Sequence, residues 1–153
     1  MPKTLIVCLG NALAADDGAG HAVYTALEGV PLRDRVRLCF IGLGGIDLLD
    51  ELGGEDLLIV VDAVQLGAVA GTVHVLSWEQ LPIQHLRPVS GHGIGIREAI
   101  EVGRKLYPER IPREIFLVGI EGKCFDQLTE SLTREVAEAI PSAVQSVVSL
   151  LEG

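Results

Sequence analysis

Short apolar runs alternate with longer amphipathic ones along almost the whole chain. TLIVCLG (4–10) and EDLLIVVDAV (55–64) have little polar interruption, the pattern of strands buried on both faces. VRLCFIG (36–42) and GTVHVLSW (71–78) show more alternation, as strands with one drier face do. REIFLVGI (113–120) reads as a fifth strand. Between them AGHAVYTALEGV (19–30), IDLLDELGG (46–54), GIGIREAIEVGRKLY (93–107) and LTREVAEAIPSAVQSVVSLLEG (132–153) read as helices. Pro141 inside the last of these predicts a kink or a break. Strands alternating with helices predict an α/β fold, a mostly parallel sheet covered by helices on both faces. Without a repeat, linker or low-complexity stretch, residues 1–153 read as a single domain.

In sheets of this kind ligands bind beyond the carboxyl ends of the strands. The first strand ends at Gly10-Asn11, the third at Asp62, and the loop before the 93–107 helix carries SGHGIG with His92. The residues with chemistry at those places are Asp16, Asp17, Asp62 and His92. The first loop, LGNALAADDG, lacks the glycine spacing of a dinucleotide fingerprint, and no Gly-Lys-Ser/Thr of a phosphate-binding loop occurs. Two adjacent carboxylates would repel phosphate in any case. Acids in a first helical turn complement the helix dipole, each by roughly 0.3–1 kcal/mol. Asp16 at the cap and Asp17 turned toward the sheet edge satisfies both demands. An aspartate after LLIVV needs a polar partner, and glycines 91, 93 and 95 let backbone pack closely around His92. Two carboxylates and an imidazole without thiolate suit a borderline cation such as Zn²⁺ or Ni²⁺. His21, four residues after Asp17 on the predicted helix, is a competing ligand by spacing. His74 and His85 read as structural, and Ser90 as a cap for the helix that follows.

Composition narrows the partners. The formal net charge is −9, which argues against nucleic acid and anionic membrane surfaces. Hydrophobic residues make up 48% of the chain but aromatics only 4%, so the core is aliphatic. The three cysteines, Cys8, Cys39 and Cys124, form no CxxC pair and fit a reducing compartment. No run approaches the ~18 apolar residues of a membrane span, and the N-terminus is too soon broken by glycine to be a signal peptide. The expectation is a cytoplasmic protein. No GxSxG elbow is present, and Cys8 lies within a strand rather than at a helix N-terminus.

In order and spacing, IVCLGNALAADDGAGHAVYTAL, LLIVVDAVQLG, SGHGIGIREAI and FLVGIEG with LTREVAEAIPSAVQSVVSLL resemble the maturation endopeptidases of nickel-iron (NiFe) hydrogenases. The resemblance spans nearly the whole chain. It implies a central twisted five-stranded sheet in a three-layer α/β/α arrangement. It also implies a metal-contacting trio of Asp17, Asp62 and His92, and one cleavage that removes a short C-terminal extension from the NiFe-hydrogenase large-subunit precursor. On this reading nickel is carried by the substrate, with zinc or cadmium standing in for it in vitro, and the free protein is a monomer. Two departures stand out: IGLGG (41–45) has Leu43 where many relatives have threonine, and IEGK replaces a segment that commonly carries proline. Three other readings stay open from the residues alone. They are a non-proteolytic metal-binding or metal-delivery protein, a metal-free hydrolase with Asp17 and Asp62 sharing acid and base roles, and an interaction domain whose acids only cap helices.

Overall fold

Strand β1 (Thr4–Leu9) lies near the middle of a five-stranded sheet with β2 (Val36–Ile41), β3 (Leu57–Val64), β4 (Val73–Ser77) and β5 (Glu114–Glu121), in the order β2-β1-β3-β5-β4. The structure is a computed structural model and describes residues 3–42, 45–81 and 96–153. Helices α1 (Ala19–Glu28), α2 (Ile46–Glu51), α3 (Ile96–Leu106) and α4 (Arg134–Glu152) fill the intervals, so the alternation predicted from hydrophobic patterning is the alternation observed. The β1–β2, β1–β3 and β3–β5 pairings are parallel, while β4 runs antiparallel to β5. The reason is connection length. Only residues 65–72 separate β3 from β4, too few for the crossover of a dozen or more residues that would return the chain to the starting end of the sheet.

Period-two alternation sorts the strand residues between two cores. Leu5, Val7, Leu58, Val60 and Val64 pack with Leu48, Leu52 and Ile100 from α2, the residue after it, and α3. Ile6, Cys8, Ile59, Val61 and Ala63 pack with Val23, Leu27, Val136, Ala143 and Val147 from α1 and α4. Each such aliphatic side chain, once buried, contributes ~1.5–3 kcal/mol. Both faces of β1 and β3 are therefore dry, as their uninterrupted apolar sequences require.

The α4 helix runs unbroken through Pro141. Pro141 and Ala137 both lie on the exposed side. The carbonyl of Ala137, which the proline ring deprives of its helical N–H partner, thus belongs to the solvent side of the helix, where the lost bond costs least. β2 pairs only with β1 among the described residues. Its Arg37 reaches over the end of α2, donating to the Glu51 carbonyl at 2.6 Å and pairing with Glu55 at 3.2 Å. No helix among the described residues is long and apolar enough to cross a membrane.

Candidate functional site

At the carboxyl end of β1 the chain doubles back beneath itself. Gly10 has φ 129°, and a Cβ there would run into the carbonyl oxygen of Asp17. A Cβ at Gly20 would meet the carbonyl of Leu9, so α1 starts directly against the end of the strand. Between these two contacts lies a 3₁₀ turn, Ala15–Gly18, with Ala15 in the left-handed region at φ 50°. Asp17 is 3% exposed, and its Oδ2 accepts the N–H of Asn11 at 3.0 Å. The turn thus carries Asp17 to the strand end.

Asp16 does something other than cap this helix. Neither the 3₁₀ turn nor α1 receives a side-chain cap. Asp16, fully buried, instead faces across to the segment joining β5 to α4. Its Oδ2 accepts the N–H groups of Lys123 (2.8 Å) and Cys124 (2.9 Å), and its Oδ1 accepts that of Thr133 (2.8 Å). The Thr133 hydroxyl adds a further bond at 2.9–3.0 Å. Burial by itself would raise the Asp16 carboxyl, but these donors outweigh it and hold the group below its usual range. The sequence expectation that Asp16 serves the start of α1 is therefore corrected: it ties the turn after β1 to Lys123, Cys124 and Thr133, the last of which immediately precedes α4.

Asp62 sits within β3, in register with Gly119 of β5, and the strand continues two pairs further to Val64. By alternation it shares the α2/α3 side with Leu58, Val60 and Val64. The hydrogen bond it receives comes from the adjacent Ala63 N–H, at 2.8 Å. Desolvation first, and then the charge of Asp17, push the carboxyl up to about 8, with the Ala63 N–H opposing. The charge of Asp17 is thus felt at Asp62. Such a pair is relieved by a proton or by an incoming cation.

The other candidates divide clearly. His92 lies outside the described residues, as do His85, Ser90, Leu43 and glycines 91, 93 and 95. His21 is packed edge-on against Phe40, 5.0 Å between ring centres, and lies 6.3 Å from Tyr24. Its place in this aromatic cluster fits a structural role. Among the described residues no group of three His, Cys, Asp or Glu side chains converges as a metal site. Burial pushes the Cys8 thiol up, helped by neighbouring Cys39 and Asp62, so it is a poor source of thiolate. His74 bonds Glu121 at 3.0 Å, and both oxygens of that carboxylate accept the Leu66 N–H, at 3.1 and 3.0 Å. Glu121 is a buried acid that the sequence reading did not single out. The available signal was its position, closing the apolar run FLVGIE much as Asp62 follows LLIVV.

A family model described as hydrogenase maturation protease matches residues 23–150, a span that includes Asp62 and His92 and begins shortly after Asp17. The chain belongs to the hydrogenase maturation protease family. This maturation protease is 30% identical to the hydrogenase expression/formation protein HupD of Rhizobium leguminosarum bv. viciae, over 98% of its own length and 74% of that relative's. It is 28% identical to the hydrogenase 2 maturation protease of Escherichia coli K12, over 97% of its own length and 90% of the relative's. The solved structure of the E. coli hydrogenase maturating endopeptidase HybD superposes with a TM-score of 0.86 at 27% identity, covering 98% of this chain and 92% of that one. The NiFe hydrogenase maturation protease HybD of Thermococcus kodakarensis gives 0.77 at 26% identity, covering 97% and 98%. The α/β architecture, with a mostly parallel five-stranded sheet and flanking helices, is that of these proteases.

Proposed function

We propose that this maturation protease removes a short C-terminal extension from a nickel-loaded NiFe-hydrogenase large-subunit precursor, and that Asp17, Asp62 and His92 recognise the nickel that the precursor carries. The observation that supports this is the Asp17–Asp62 pair. Asp17 follows the end of β1 and Asp62 lies near the end of the β3–β5 ladder, and the charge of the first raises the pKa of the second. The pair therefore gains most from a cation that arrives with the substrate. Oxygen donors from both acids, with an imidazole nitrogen from His92, form a donor set suited to nickel or zinc. Asp17 is held for this task by the Asn11 N–H, and Asp62 by the ladder between β3 and β5. The arrangement gives the enzyme a test of its substrate: the precursor engages fully only when loaded.

The deciding experiment compares loaded and metal-free precursor in a processing assay. The loaded form is expected to be shortened and the metal-free form to stay intact. Equal shortening of both rejects metal recognition, and nickel binding without any shortening favours metal delivery over proteolysis.

A further inference from the structure

We infer that Leu13 and Leu128 form a docking ridge for an aliphatic segment of the protein substrate that carries Lys or Arg beside it. This rests on the reading above in one respect, that the occupant is the precursor. Isolated exposed leucines are ordinary; this pair is set apart by how it is held. Ala14 and Thr129 form an isolated parallel bridge. The Ala15 N–H donates to the Thr129 carbonyl at 3.0 Å, and the Thr129 N–H donates to the Leu13 carbonyl at 2.9 Å. Residues in register on a parallel ladder project to the same side. Leu13 and Leu128 each stand one residue before a bridge partner, so the bridge brings the two loops that carry them together. Leu13 is 56% exposed and Leu128 is 92% exposed.

The ridge is anchored as well as exposed. Asp16 ties the turn after β1 to Lys123, Cys124 and Thr133, on both sides of the loop that carries Leu128. The leucines therefore stand on a fixed base. The same turn leads to Asp17 four residues after Leu13, which puts Leu13 and the candidate residue on one loop. Its rim is acidic: Asp126 and Glu130 flank Leu128, both exposed, and no Lys or Arg pairs with either among the described residues. An apolar centre with a negative rim complements an aliphatic stretch with a positive flank, and the net charge of −9 draws such a segment in.

The test uses the full-length enzyme and purified nickel-loaded large-subunit precursor. Leu13→Ser with Leu128→Ser is expected to raise KM about tenfold and leave kcat within about twofold, the signature of lost docking rather than lost chemistry. The melting temperature should stay unchanged, and Leu128→Met should restore KM. Asp126→Lys with Glu130→Lys should raise KM as well. An unchanged KM in the leucine variant, or a fall in kcat alone, overturns the ridge; an unchanged KM in the charge variant overturns the basic flank. Binding of the precursor to enzyme carrying Asp17→Asn separates this inference from the reading it rests on. If the wild type cleaves but binding ignores the leucines, the ridge fails and proteolysis stands. If binding needs the leucines but nothing is cleaved, the ridge stands and proteolysis fails. If the precursor does not bind at all, the ridge is overturned.

Discussion

Asp16 and Asp62 are both acids set into apolar surroundings near the carboxyl ends of the strands, and their environments drive them in opposite directions. Asp16 is enclosed by donors from three residues far along the chain, and its carboxyl falls below the usual range. Asp62 has the Ala63 N–H and a like-charged neighbour, and its carboxyl rises to about 8. Among the described residues one carboxylate is surrounded by donors and the other receives a single N–H. Burial alone does not separate a structural acid from a functional one; the supply of donors does.

The largest expected effect comes from removing the member with the single donor. Asp62→Asn and Asp17→Asn are each expected to slow precursor processing by about 10³-fold, the scale on which loss of one electrostatic group acts in a preorganised site. Gel shift of the precursor against time measures this. Activity retained in both would erase the contrast with Asp16.

Next comes stability. Asp16→Ala leaves the partly buried N–H groups of Lys123, Cys124 and Thr133 without this acceptor, which costs about 3 kcal/mol and lowers the melting temperature by about 10 °C. The pH dependence has a definite sign. A carboxyl lowered by folding stabilises above its unfolded pKa, and that stabilisation disappears as pH falls through the folded value. Asp16→Ala should therefore lose its penalty in acid.

Asp62 gives the opposite slope. Its carboxyl is raised from 3.8 to about 8, so the unfolded chain releases this proton before the folded one does, and the contribution to stability declines as pH climbs across that window. Asp62→Asn should melt higher than wild type at pH 9 and at the same temperature at pH 3, as read by thermal denaturation. The same proton competes with a cation, so nickel or zinc should raise the wild-type melting temperature more at pH 8.5 than at pH 6. A flat difference between variant and wild type across pH would show that Asp62 is as well served as Asp16.

Glu55 sits between the two extremes. Burial would raise it, yet the Gly53 N–H, its own N–H and Arg37 hold it below the usual range. Its ion pair with Arg37 is half open to water on the arginine side, so Glu55→Gln should change stability by less than about 1 kcal/mol.

How much of this was legible in the sequence follows from range. Strands and helices announce themselves through period, and LLIVV or LIV needs no distant partner to be recognised as buried strand. Asp62 was legible because an acid following LLIVV has no apolar reason to be there. Asp17 was legible as an acid in the loop after the first strand, and its place in the trio came from the family resemblance. The task of Asp16 was not, because its partners lie 107 to 117 positions away and no local pattern marks a bond across that separation. The Glu121–His74 pair hid for the same reason, being 47 residues apart. The exposed leucines were invisible as a pair until the Ala14–Thr129 bridge brought their loops together.

Arg37 has a consequence for the life of the protein outside any reaction. It stands on β2, which among the described residues is an edge strand, paired with β1 alone. Held over the end of α2 by Glu51 and Glu55 yet still 52% exposed, its guanidinium keeps a hydrated cation beside that edge. A strand that stacked there would have to strip water from a charge already committed to its own acids. A charge so placed disfavours pairing of the edge with a further strand.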